Sequence, residues 1–190
     1  MIKPSDWDTK QASEYGPRLA AGGKICEIKA SRTQPSRNEH EMLVLDLEIH
    51  EGSEFDGYFG DRAKNLAPGK WPGNGTLRQI VTNADGTTNN RFAQLIHAIE
   101  HSNPGYQWQW QEGTLVGKHV GIIFREKEYI DKEGAVRTVV EPFVACSTDR
   151  ILNGSYSVPA KRTLEDQGIT RPGQAPAGFT AAKTEDELPF

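Results

Sequence analysis

Residues 42–49 alternate without a break. Leu43, Leu45, Leu47 and Ile49 fall on one face, and Val44, Asp46, Glu48 and His50 on the other. A period of two with one apolar face is the signature of a half-buried β-strand, which needs neighbours for its backbone and a core over its leucines. The chain supplies both. Gly22-Gly23 opens an earlier strand in which Ile25, Glu27 and Lys29 alternate with Cys26, Ile28 and Ala30, ending in a loop at 31–39. Downstream, Val120, Ile122 and Phe124 run into Glu126 and Glu128 along one face of a strand over 119–129. Ile123, Arg125, Lys127 and Tyr129 form its other face. Asp131-Lys132-Glu133-Gly134 is a turn signal, and 135–147 returns as the second arm of a hairpin.

Between these two halves, the aromatic stretch 55–62 reads as a short extended strand. Residues 63–90 carry the breakers Pro68-Gly69, Pro72-Gly73, Asn74-Gly75 and Asp85-Gly86 and read as one long loop. Residues 90–99 read as a helix, because Phe92, Leu95, Ile96 and Ile99 recur at helical spacing, and Asn103-Pro104-Gly105 stops it. Three strands, a helix and two strands predict a mainly β protein: a five-stranded antiparallel OB-fold-like barrel with one short helix. An SH3-like barrel or an open α+β sheet shares that order. The expected division is an N-terminal extension over 1–21, with Trp7, Tyr15 and Leu19 as docking points, a domain over 22–158, a disordered linker over 159–184 and a tip over 185–190. The linker expectation rests on composition. Pro, Gly, Ala, Thr and Gln dominate, and Leu164, Ile169 and Phe179 are the only large apolar residues, too few to offset the entropy of ordering. A docked 164–169 helix is the alternative.

Charge narrows the function. The formal net charge is −4 with a sequence pI of 5.8, and the chain without 159–190 still stands at about −3. A nucleic-acid site must then be a local basic stripe in an acidic surface. Cys26 and Cys146 read as reduced, buried cysteines of a cytoplasmic protein, and no stretch resembles a secretion signal or a membrane span. Gly69-Lys70 is followed by Trp71 rather than Ser or Thr, so it is no phosphate-binding loop, and residues 83–88 lack the rest of a calcium loop. The five histidines form no metal motif, and no nucleophile–base pair assembles. A non-enzymatic protein without cofactor or metal is the expectation.

Binding single strands calls for aromatic faces beside cations, since each stacked base contributes roughly 1–3 kcal/mol and any base can stack. Two stretches offer the mixture: Tyr58, Phe59, Arg62 and Lys64 continuing through Lys70 and Trp71 to Arg78, and the hairpin face Arg125, Lys127 and Tyr129. Phe59 reads equally well as a core residue. Trp71, set among breakers, is the first candidate for stacking, whereas Trp108 and Trp110 read as core or edge packing. The sequence ends Glu185-Asp186-Glu187-Leu188-Pro189-Phe190. An extended apolar plug with a carboxylate and flanking acids suits a pocket on a partner protein.

That ending resembles the C-terminal tip of bacterial and phage single-stranded DNA-binding proteins, which recruits replication, recombination and repair enzymes. The stretches 22–26, 102–108 and 115–118, with the hairpin from Glu128-Tyr129 to Asp149-Arg150-Ile151, resemble a phage-encoded family described variously as uncharacterised or as single-stranded DNA-binding. The resemblance covers roughly residues 15–160 and the tip. It implies an OB-type domain that binds single-stranded DNA without sequence preference in phage or prophage replication and recombination. It also implies a bacterial cytoplasm, partner recruitment through 185–190 and possible homo-oligomers. The competing expectation is a protein-interaction adaptor that does not touch nucleic acid.

Overall fold

The computed structural model describes residues 18–172. Five strands, β1 Gly22–Pro35, β2 Glu41–Ile49, β3 Thr76–Ile80, β4 His119–Ile130 and β5 Val136–Cys146, form one antiparallel sheet in the order β3-β2-β1-β4-β5. Among the described residues three α-helices accompany them, where the sequence reading expects one: α1 Tyr58–Ala63, α2 Asn90–Ser102 and α3 Thr148–Leu152. The chain is thus mainly β with a five-stranded antiparallel sheet, as its sequence predicts. The sheet is not closed. β3 and β5 are its two edges, and they approach within 8 Å between Cα atoms without a ladder joining them.

The core lies between the sheet and α2. Leu45, Leu47 and Ile49 of β2, Ile28 of β1, and Val120, Ile122 and Phe124 of β4 are fully buried there, with Phe92, Leu95 and Ile99 of the predicted helical stripe. α2 begins where the Asn89 side chain accepts hydrogen bonds from the amides of Arg91 and Phe92. It ends at Asn103, whose Nδ2 donates to Ile99 O at 2.6 Å and His119 O at 2.8 Å, tying the helix terminus to the first residue of β4.

Four expectations are corrected. The aromatic stretch 55–62 is not a strand; it turns into α1, and the third strand is β3, inside the region read as loop. β2 is buried on both faces, with Val44, Asp46 and Glu48 all below a tenth exposed. Its carboxylates tolerate burial because each has partners. Glu48 accepts from the amides of Phe59 at 2.9 Å and Gly60 at 2.5 Å, supplying the anion that the start of α1 attracts. Asp46 takes Arg32 Nη1 at 2.6 Å and Thr76 Oγ1 at 2.9 Å.

The third correction concerns the described part of the expected linker, 159–172, which packs on β4: Leu164 is fully buried and Arg162 forms a parallel bridge with Lys127. Fourth, β1 slips at a bulge between Ile28 and Ala30 and then runs on to Pro35, through residues expected to be loop. The expected docking of Leu19 is observed, at 4% exposure. Trp7, Tyr15, Phe179 and the tip lie outside the described residues.

α3 sits in a notch that only glycine permits. A Cβ on Gly121 would lie 2.7 Å from both Ile151 Cγ1 and Ser147 O, and one on Gly23 would lie 2.6 Å from Ile151 Cδ1.

Candidate nucleic-acid interface

Where β3 and β5 face each other without pairing, their edges and neighbours enclose a cleft of about 300 Å³. A bulge in β5 shapes it. Ile123 pairs with Val144 and Phe124 with Pro142, so Phe143 is the extra residue. Pro142 has no amide to donate, and a bulge on an edge strand accommodates it while re-aiming the side chain beside it. The Phe143 ring lies in the cleft wall, with the guanidinium carbons of Arg91 and Arg125 over it at 4.7 and 4.1 Å from the ring centre.

Five cations line the same cleft from four places in the fold: Arg78 on β3, Arg91 in the first turn of α2, Arg125 and Lys127 on β4, and Arg162 from the C-terminal segment. One carboxylate stands among them. Glu141 holds Arg125 Nη2 at 3.0 Å and Lys127 Nζ at 3.1 Å. Among the described residues no acidic partner lies within salt-bridge distance of Arg78, Arg91 or Arg162. A protein of net charge −4 therefore concentrates positive charge in one low-lying groove, where field lines converge and attract an anion.

The ten residues singled out from sequence separate into three groups. Arg78, Arg125 and Lys127 meet in the cleft, and Tyr129, 42% exposed, continues the same β4 face outward along the hairpin. Tyr58, Arg62, Lys64 and Lys70 sit on α1 and the loop after it, outside the cleft lining. Arg62 caps the half-buried Tyr58 ring at 3.4 Å, Lys64 pairs with Asp61 at 2.7 Å, and Lys70 is exposed. Phe59 and Trp71 pack into or against the core. Phe59 is fully buried and has no face open to a base, and Trp71 is half-buried against the core with Nε1 donating to Leu47 O at 3.1 Å.

Arg91, Phe143 and Arg162 were missed. Glu141-Pro142-Phe143 did carry a signal, since a proline inside a strand pattern marks an edge or a bulge. Nothing local distinguishes Arg162 from the composition around it.

Trp110, expected as core or edge packing, is not core. It is 71% exposed and adopts a left-handed backbone with φ 61°, a conformation uncommon for a bulky side chain. Its ring centre lies 4.9 Å from that of Trp108 and 6.3 Å from that of Phe92. Trp108 is half-buried, its Nε1 donating to Gln111 O at 3.0 Å. These rings border an apolar recess of about 260 Å³ with Ile96 and Ala93. Arg91 lines the cationic cleft and the next residue of α2, Phe92, lines the recess.

Among the described residues no group of three or more His, Cys, Asp or Glu side chains is placed to hold a metal ion, and no helix is long and apolar enough to cross a membrane. Burial pushes the Cys26 and Cys146 thiols above their ordinary range. A scan against protein-family models finds no matching family, and a search of curated proteins finds no match.

Proposed function

We propose that this chain binds single-stranded DNA without sequence preference, seating backbone phosphates in the cationic cleft between β3 and β5 and stacking bases on the exposed rings of Tyr129 and Trp110. The observation that carries the reading is the convergence of Arg78, Arg91, Arg125, Lys127 and Arg162 on one groove in an acidic protein. A groove with several cations and adjoining aromatic faces suits a flexible polyanion whose bases splay out. The strand order, with α2 between β3 and β4, supports an OB-type barrel left open at the β3–β5 seam. We further propose that the chain acts in phage or prophage replication and recombination in a bacterial cytoplasm and recruits partner enzymes through 185–190. A second reading, a protein-interaction adaptor, is favoured by the apolar recess beside Trp110 and by the net negative charge.

Tryptophan fluorescence during titration with oligo-dT separates the two. Binding should quench emission, weaken by roughly 0.7 log units per contacted phosphate per log unit of salt, and lose most of its quenching in Trp110→Ala. The double variant Arg78→Glu/Arg91→Glu should lose binding. Neither quenching nor a gel shift at micromolar wild-type protein would refute DNA binding and leave the adaptor.

A further inference from the structure

Glu128 is the acid in the hairpin whose surroundings the cleft does not explain. It lies on the β4 face opposite Arg125 and Lys127, and its side chain is 8% exposed. Both of its oxygens are engaged by the C-terminal segment: Oε1 by Lys161 Nζ at 2.9 Å, and Oε2 by Arg171 Nη2 at 2.9 Å and the Leu164 amide at 3.2 Å. The backbone adds to the clamp. Glu128 N donates to Arg162 O and Arg162 N to Glu126 O, each at 2.9 Å, and Gln167 Nε2 donates to Glu128 O.

The position of this clamp follows from strand length. β1 starts at Gly22, opposite Phe124, so β4 runs on from Arg125 with that edge uncovered by β1. The C-terminal segment takes the vacant edge, which would otherwise expose unpaired amides and carbonyls. At the bridge, Arg162 stands beside Lys127, and both residues line the cationic cleft.

We propose that Glu128 is a positioning residue for the anionic ligand: by clamping 161–171 to β4 it holds Arg162 in the cleft, so segment docking and ligand binding stabilise each other. The inference rests on the DNA-binding reading above. It makes a prediction opposite in sign to simple electrostatics, because deleting an acid near a cationic groove should strengthen anion binding, whereas deleting Glu128 should weaken it. By reciprocity, a bound strand should protect the segment from exchange.

The test uses the full chain, oligo-dT over a salt series, and hydrogen exchange of the 161–171 amides. Arg162→Ala should leave exchange unchanged, weaken binding about fivefold at low salt and lower the salt slope by about 0.7, one single-strand phosphate contact. Glu128→Ala should speed exchange in the segment and reproduce the same losses. The double variant should lose no more than Arg162→Ala alone, since both changes remove one cation. Leu164→Ala, which loosens the segment without altering charge, should behave like Glu128→Ala. The proposal is overturned if Glu128→Ala or Leu164→Ala frees the segment while slope and affinity hold, if the two losses add, or if Glu128→Ala leaves the segment protected. Wild-type protein that fails to bind oligo-dT would sink the DNA-binding reading itself, and this inference with it.

Discussion

Glu141→Gln should make the protein bind single strands more tightly, although it removes two ion pairs. Glu141 occupies Arg125 and Lys127 at 3.0 and 3.1 Å, in the position an incoming phosphate would take. Glutamine keeps the shape and an acceptor oxygen but not the charge, so both cations become available to phosphate. The side chains involved are only 17–28% exposed, yet the cleft opens to solvent, so a water-like screening sets the lower bound. Removing one unit of repulsion about 4 Å from a phosphate is then worth about 1 kcal/mol, or about a fivefold gain in affinity at low salt. The salt slope should rise by up to about 1.4, two further single-strand phosphate contacts. The gain should fade near 1 M salt, where the Debye length is about 3 Å.

Folding stability should fall by no more than about 2 kcal/mol, up to about 1 kcal/mol for each of the two partly exposed pairs, and that is a few degrees in the melting temperature for a chain of this size. Anisotropy of labelled oligo-dT from 50 mM to 1 M salt, with a parallel melt, measures both. An unchanged slope and unchanged or weaker affinity, in a variant that melts normally, would refute the assignment of the β3–β5 cleft to phosphates.

Two other predictions concern the scaffold. The Lys161 hydrogen bond, aided by the Leu164 amide and the Arg171 charge, holds the Glu128 carboxyl below its ordinary value of 4.5. A depressed carboxylate stabilises the fold while ionised, so exchange protection of 161–171 should be constant from neutral pH to above 4.5. It should be lost as pH falls further, through the lowered value; protection already lost near pH 6 would contradict the clamp. Gly121→Ala should lower stability by about 1–3 kcal/mol, as overpacking does, because its Cβ would meet Ser147 O and Cys146 O, backbone atoms that cannot rotate away, at 2.7 and 2.9 Å. A melting temperature within a degree of wild type would show that α3 can move off the sheet.

The parts of the fold legible in sequence are those whose signal is local. Alternation marked β1, β2 and the β4–β5 hairpin, and helical spacing marked α2, because in each the core selects residues at a fixed period. β3 was hidden because a five-residue strand among glycine and proline turns shows too few periods to read. From sequence β2 reads as half-buried because Asp46 and Glu48 look solvent-facing. Their partners Arg32, Thr76, Phe59 and Gly60 come from other elements, and only the folded chain brings them close. The site divides along the same line. Arg125 and Lys127 were found because they share a strand face, and that face already sits in the cleft.

Arg91 looked like an ordinary polar residue on a helix, Phe143 depends on a bulge, and Arg162 belongs to a segment whose composition argues for disorder. Composition reflects only what the segment itself can bury. The bare edge of β4, left open because β1 begins at Gly22, and the buried carboxylate of Glu128, which pairs with the segment's cations, lie outside it. Leu164 is a single apolar residue, yet a fully buried leucine contributes about 1.5–3 kcal/mol, and pairing along a vacant edge satisfies amides that the hairpin would otherwise expose. Whether a polar segment orders depends on the vacancy it meets as much as on its own sequence. Here that vacancy lies beside the cleft and brings a fifth cation into it.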